Sequence, residues 1–480
     1  MKKELSRTEI KKQELETLYQ EFKKNPTLFE RQTFDEGPSI TQNYGIYIKD
    51  KEDFPYCYLK FLPQDFIVEE IGDDNSISTI SLDSDSNQKL QMDSDLKTIY
   101  ATLVKCGMST IEAVEEMSTQ LKCHTDQIQY AGIKDKDAIT SQRISFRNIP
   151  LEKIKSISSP YFFLKNLHAG KGVVEKGNLV GNRFTILIRI DYSHFNIKTA
   201  ESLRKQIIDV KKNGFYNFYY LQRFGTPRLI NIKWGMYILR GQHKEAIKSF
   251  ISESSERELP YFRKLRQTAE KKFGNWTEIL KLFEPFPMIC RNELKAIRYL
   301  EKHPEDFIGA LSTMPDQITL WIYAIASLLF NEKISSLAQT GKPIPKDLPL
   351  FLSNDRQDIL VYQELLQEIN IFPPPFNNLR SFPFIRLNKR TARTKEFAEI
   401  HKVEVVDEGI IMSFSLSKGN YATTLLSHFF NLVTGKPPEW VRPGKIDIKK
   451  IIGEENINKT IEKFHSVIHS KNDNPFELFE

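Results

Sequence analysis

Cysteine is scarce and dispersed in this chain. Its four cysteines, Cys57, Cys106, Cys123 and Cys290, form no CxxC pair and no Cys/His cluster, which argues against a spaced zinc site or a disulfide framework and points to a reducing compartment. Long apolar runs are missing too. The greasiest stretch, ITLWIYAIASLLF from Ile318, falls short of the roughly 20 residues that a membrane span needs. The opening MKKELSRTEIKKQELETLYQEFKK mixes acids and bases and lacks the apolar core of a signal peptide. Neither GxGxxG nor GxxxxGKS occurs, so there is no glycine-rich cradle for a nucleotide phosphate. Nor is one sign of charge in large excess: 68 Lys and Arg against 62 Asp and Glu leave a formal +6, which permits an RNA partner without requiring one. The expectation is a cytoplasmic, monomeric protein with no membrane, metal or nucleotide cofactor.

What is present points to two domains. At 480 residues the chain exceeds the size at which a single core stops growing, and 40% apolar content supports real cores. The first 50 residues read as a helical extension with Leu5, Leu15, Leu18 and Phe22 on one face. Residues 71–97 are Ser- and Asp-rich and poor in aromatics, a composition that predicts a mobile acidic loop. Ser109 and Glu112 then form a capping box for a helix with Ile111, Val114, Met117 and Leu121 on one side. IQYA, QRISF and GNRFTILIRI read as strands, the last with Phe184, Ile186, Ile188 and Ile190 sharing a face. Helical patterns dominate from about 226 to 379, where IFPPPFNN looks like a stiff connector. Beyond it, GIIMSFSLSKGNYATTLLSHFF reads as a strand, a tight turn at Lys418-Gly419, and a helix turning Ala422, Leu425, Leu426 and Phe429 inward.

Three glycine-containing clusters carry the chemistry-bearing side chains: AGIKDKDAIT at 131–140, VGNRFTILI at 180–188 and NFYYLQRFG at 217–225. In the first, Lys134, Asp135, Lys136 and Asp137 follow one another. Spacing alone favours a solvated turn. Asp135 and Asp137, as DxD, also fit a divalent cation, although no third oxygen ligand lies nearby. A general-acid and general-base pair would need both side chains on one face, hence an extended backbone, which Gly132 disfavours.

In this order and spacing the clusters resemble the TruD family of pseudouridine synthases, with its AGxKDxxAxTxQ, GNxF and NYFGxQRFG motifs. Ala131, Gly132, Lys134, Asp135, Ala138, Thr140 and Gln142 match the first; Gly181, Asn182 and Phe184 match the second. Asn217, Phe218, Gln222, Arg223, Phe224 and Gly225 match the third. KFLPQDFIVEE, AIASLLFN and LSKGNYATTLL extend the similarity over about residues 55–430. Tyr220, Ala326 and Ser417 depart from the pattern, which commonly has Gly, Gln and Pro there.

The resemblance implies an α+β fold: a pseudouridine synthase catalytic domain with a mixed, mainly antiparallel sheet, from 51–225 and 380–480, and an inserted helix-rich domain at 226–379. It implies an isomerase acting on RNA, most simply tRNA, with Asp135 as the catalytic carboxylate. Three routes are open to that group: attack on the base, attack on the ribose, or proton removal. Phe184 would stack on the unstacked uracil, or else be a core residue beside Ile186. Asn182 would orient Asp135 or bond the uracil edge, or else be a turn residue. Lys60 matches a family lysine near the site, or snorkels from its strand. Lys134 and Lys136 would keep Asp135 ionised or meet phosphates, or sit idle in solvent. Arg223 would contact RNA or hold its own loop. Arg386, Lys389, Arg390, Arg393 and Lys395 would form a phosphate track, or a solvated face. Two other functions compete with the isomerase: a non-catalytic RNA-binding protein on the same scaffold, and a metal-dependent RNA hydrolase using Asp135 and Asp137.

Overall fold

The structure, a computed structural model, describes residues 7–82, 97–473 and 476. The chain divides into two compact units, one of residues 50–215 and 396–474, the other of 1–49, 216–395 and 475–480. The seams therefore fall after Phe215 and before Glu396. The N-terminal residues, Arg223 and the basic segment at 386–395 all group with the helices.

The first unit is built on a mixed sheet. Its strands are β1 (Tyr56–Tyr58), β2 (Phe66–Ile71), β3 (Thr98–Cys106), β4 (Ile128–Tyr130), β5 (Ile139–Arg147), β6 (Phe162–Gly170), β7 (Gly181–Ile190), β8 (Glu399–Val406), β9 (Gly409–Ser417) and β10 (Asn431–Gly435). They lie in the order β10-β1-β7-β2-β5-β3-β6, with β9 joining β7 to β8 and β4 pairing with β5. Only β10 with β1 and β2 with β5 run parallel. The sheet is thus mixed and mainly antiparallel. Both faces are covered, so β7 buries every residue from Phe184 to Ile190: Thr185, Leu187 and Arg189 are as enclosed as Phe184, Ile186, Ile188 and Ile190. Arg189 is tolerated there because Asp65 takes its guanidinium at 2.8 and 2.9 Å. Gly181 opens β7 because a Cβ there would run into the carbonyl of Leu416 on β9.

The capping box forms as the sequence predicts: Glu112 N donates to Ser109 Oγ at 3.2 Å, and Ser109 N to Glu112 Oε2 at 2.8 Å. The helix it starts, Thr110–Leu121, buries Thr110, Ala113, Val114, Met117 and Ser118. Ile111, expected inward, is 43% exposed, because positions 110 and 113 lie over 114, 117 and 121 while 111 is rotated away. The acidic segment is a further correction. Residues 73–77 are exposed, but residues 78–81 pack: Ile80 is fully buried, Glu69 accepts its N–H at 2.9 Å, and Lys165 donates to Thr79 and Ser81 at 3.0 and 2.5 Å. Residues 83–96, like Leu5, lie outside the described residues. The turn at Gly419 takes a positive φ of 87°, and the short helix after it, Ala422–Leu426, buries Ala422, Leu425 and Leu426, with Phe429 beyond its end.

The second unit is helical. Its N-terminal helix, Arg7–Lys24, buries Leu18 but leaves Leu15 and Phe22 half-buried. The helices Asn231–Leu239 and Pro315–Gln339 pack closely because Gly235 leaves room for the Trp321 carbonyl. Trp234, Phe250 and Trp321 cluster with ring centroids 5.1–5.3 Å apart. Tyr220 and Ala326, two departures from the family pattern, are both buried. No helix among the described residues is long and apolar enough to cross a membrane.

Candidate active site

The four consecutive charges of KDKD part company. Each meets an oppositely charged side chain from a different element. Lys134 turns inward to Glu70 on β2, Nζ to Oε2 2.8 Å, with side chains only 5% and 2% exposed. Asp135 turns outward and meets Lys60, 3.0 Å from Nζ to Oδ2, itself 48% exposed. Lys136 approaches Glu112 at 3.8 Å, and Asp137 pairs with Lys471 at 3.0 Å. Burial pushes the Asp137 carboxyl up, but Lys471, Lys60 and Lys136 outweigh it and hold the group below the usual carboxylate range.

The turn between β4 and β5 is held from beneath by buried polar groups. Gln142 Nε2 donates to the Gly132 carbonyl at 2.8 Å, and Thr110 Oγ1 donates to Gln142 Oε1 at 2.8 Å. That hydroxyl in turn accepts from Lys134 N at 2.9 Å. Gly132 is not in the left-handed region, and a Cβ there would meet nothing closer than Lys134 Nζ at 4.0 Å. The hydrogen bonds, not the glycine, set this backbone.

Lys60 does not snorkel. It adopts φ +58° just ahead of Phe61, and its ammonium lies 4.4 Å from the Phe66 ring centroid as well as beside Asp135. Phe184 packs in the same aromatic row, stacked on Phe414 at 5.3 Å and edge-on to Phe66 at 6.2 Å, and is 6% exposed. Asn182 lies opposite Glu70 in the β2–β7 register, and its Oδ1 accepts from Lys134 Nζ at 2.7 Å. Lys134 is therefore neither an idle surface lysine nor placed to meet phosphates; its ammonium joins Glu70 to Asn182.

Arg223 belongs to the helical unit, half-buried on a 3-10 turn, Leu221–Phe224, with its guanidinium 5.0 Å from the Tyr219 ring. In the basic segment, Lys389 pairs with Asp355 at 2.9 Å and Arg390 lies over Tyr323 at 4.8 Å; Arg386, Lys389, Arg390, Arg393 and Lys395 are all exposed. Among the described residues no group of three His, Cys, Asp or Glu side chains is placed to hold a metal ion.

Sequence reasoning missed Glu70, Thr110 and Lys471, and gave Gln142 no role. Glu70 and Gln142 carried a usable signal, being polar residues within otherwise buried strand patterns. Lys471 carried none, since it lies more than 330 positions from its partner.

Comparison with known proteins supplies the family. The model of the family described as tRNA pseudouridine synthase D (TruD) matches residues 42–370. A Methanocaldococcus jannaschii protein named probable tRNA pseudouridine synthase D 1 is 28% identical over 391 residues, covering 77% of this chain and 94% of its own. A Methanopyrus kandleri protein named probable tRNA pseudouridine synthase D is 26% identical over 343 residues, covering 68% and 83%. A crystal structure from Methanosarcina mazei, named for the same family, superimposes with a TM-score of 0.63 at 20% identity, over 82% of this chain and 98% of that one, and shares the fold. The chain belongs to the TruD family of tRNA pseudouridine synthases, which are isomerases.

Proposed function

We propose that this protein isomerises a uridine of tRNA to pseudouridine, with Asp135 as the reacting carboxylate. The observation that carries the proposal is a half-exposed carboxylate, paired only 3.0 Å from Lys60, on a turn anchored by buried Gln142 and Thr110. The reaction detaches uracil from ribose, rotates it and rejoins it through carbon. It needs a group to attack or take a proton, a surface for the freed base, and exclusion of water. Lys60 keeps a positive charge against the carboxylate without burying it. Asp135 faces solvent in the free protein, so the bound RNA itself must supply the cover, and the target base must leave its stack to reach it.

In this reading the Phe184 ring, backed by the buried Phe66 and Phe414, supports the base, and Asn182, fixed through Lys134 and Glu70, bounds its polar edge. Arg223 and the exposed cations from Arg386 to Lys395 contact RNA phosphates in the other unit. The test is incubation of purified protein with unmodified tRNA transcripts, digestion to nucleosides and chromatographic separation of pseudouridine from uridine. Pseudouridine formed by wild type and not by Asp135→Asn is the expected result; an unmodified pool of transcripts would overturn the proposal.

A further inference from the structure

Lys105 lies at the end of β3, one residue before Cys106, and has no accessible surface. A buried ammonium forfeits several kcal/mol of hydration unless its surroundings compensate. Its acceptors are three backbone carbonyls: Met108 at 2.9 Å, Lys134 at 3.3 Å and Asp135 at 2.5 Å. Among the described residues none of its hydrogen-bond partners is a carboxylate. Two of the three acceptors belong to the KDKD turn, and they are the carbonyls on either side of the Asp135 nitrogen and Cα. An alkyl side chain would fill this space without the desolvation cost, so the charge is explained by what it holds.

We propose that Lys105 is a positioning residue for the isomerisation, its ammonium clamping the backbone on both sides of Asp135 so that the carboxylate is presented at a fixed height above the sheet. The proposal rests on Asp135 being the reacting group. The titratable groups facing Lys105 are Asp135 and Lys134 from the turn, Glu112 from the helix Thr110–Leu121 and, on its own strand, the Cys106 thiol, which burial pushes up to about 12 and so keeps uncharged. Burial pulls the Lys105 ammonium down to about 8, and Asp135 is the strongest of the charges opposing that fall. The clamp is therefore protonated at neutral pH and loosens in mild alkali.

The experiment compares wild type, Lys105→Met and Lys105→Gln in thermal melts, in tRNA binding and in single-turnover isomerisation with enzyme in excess. Misplacing a reacting group by a fraction of an ångström to an ångström costs about tenfold to a hundredfold. The Met variant is expected to be slower by about tenfold or more while binding tRNA within about twofold of wild type, since no phosphate contact is lost. Gln retains an amide donor and is expected to fall between the two. Wild-type rates are expected to decline above about pH 8, a decline that the Met variant, with nothing to titrate there, lacks. A Met variant that folds and turns over at the wild-type rate, a loss that appears in binding alone, or a Gln variant no faster than Met would each overturn the proposal. Failure of both variants to fold would also overturn it, leaving Lys105 a structural residue. If Asp135→Asn is inactive and Lys105→Met is not, the clamp alone is wrong; if Asp135→Asn is active, the assignment of the carboxylate is wrong.

Discussion

Replacing Asp135 with Asn should separate activity from stability. The Lys60–Asp135 pair is 3.0 Å long, but its side chains are 22% and 48% exposed. At such a distance two charges attract by about 1 kcal/mol in water and a few times that near a protein surface. Solvent screening and the ordering of a long lysine reduce the net to roughly 0–1 kcal/mol. For a unit of this size that is a melting shift of at most about 4 °C. The hydrogen bonds that hold the turn run through Gln142, Thr110 and the Lys134 and Asp135 backbone, none of which the substitution touches. With Asp135 as the proposed reacting carboxylate, its loss should nevertheless slow isomerisation by about a thousandfold or more. Glu70→Gln is the matched contrast: it leaves Lys134, 5% exposed, without its counter-charge, and breaking a buried pair costs about 3–5 kcal/mol. Calorimetry or thermal melts beside single-turnover rates measure both. Asp135→Asn within tenfold of wild-type turnover, or melting lower than Glu70→Gln, would refute the reasoning.

Three further outcomes follow from the same geometry. Phe184→Leu removes a ring stacked on Phe414 at 5.3 Å; it should cost about 1 kcal/mol of stability and, with base stacking worth roughly 1–3 kcal/mol, about tenfold in single-turnover rate, while Phe184→Tyr stays active. An active Leu variant and a destabilised Tyr variant would make the ring a core residue only. Replacing residues 83–96 with a short Gly/Ser linker should leave melting and turnover near wild type, whereas Ile80→Ala, at a fully buried site, should cost about 2–5 kcal/mol; a large loss in the linker variant would contradict the compositional argument. His428 is buried, with its pKa pulled down to about 4 by desolvation, a Thr424 carbonyl pulling the other way. Its neutral form belongs to the folded state, so the stability it confers is complete above the unfolded value near 6.5 and disappears as pH falls toward 4, by about 3 kcal/mol across the window. Denaturant unfolding of wild type and His428→Gln between pH 7 and 4 checks this, and equal slopes in the two proteins would dismiss His428 as the titrating group.

Local chemistry determined much of this protein. The Ser109–Glu112 cap, the β7 strand and the glycine turn before Ala422 depend on residues a few positions apart, so their signals survive in the sequence alone. The motif AGIKDKDAIT likewise located the turn, and the family resemblance is the source of the proposal that its Asp135 carboxylate reacts. What the sequence did not contain is the destination of each charge. Lys134 and Asp135 are adjacent, yet one ion pair is buried with Glu70 and the other lies at the surface with Lys60. Only the β2–β7 register, which sets Glu70 opposite Asn182, makes that choice. Ile80 reads as part of a polar tract, and what holds it is a core of residues distant in sequence, Ile67 and Val104 from the sheet with Ile457 and Phe464 from the C-terminal segment, together with the Glu69 carboxylate on its N–H. Lys105 looks like one lysine among many along the chain, and its role follows from a strand end that brings its ammonium beneath a turn 30 residues away. Short-range preferences decide which elements form; desolvation and pairing between elements decide which side chains face one another, and those terms exist only once the chain has folded.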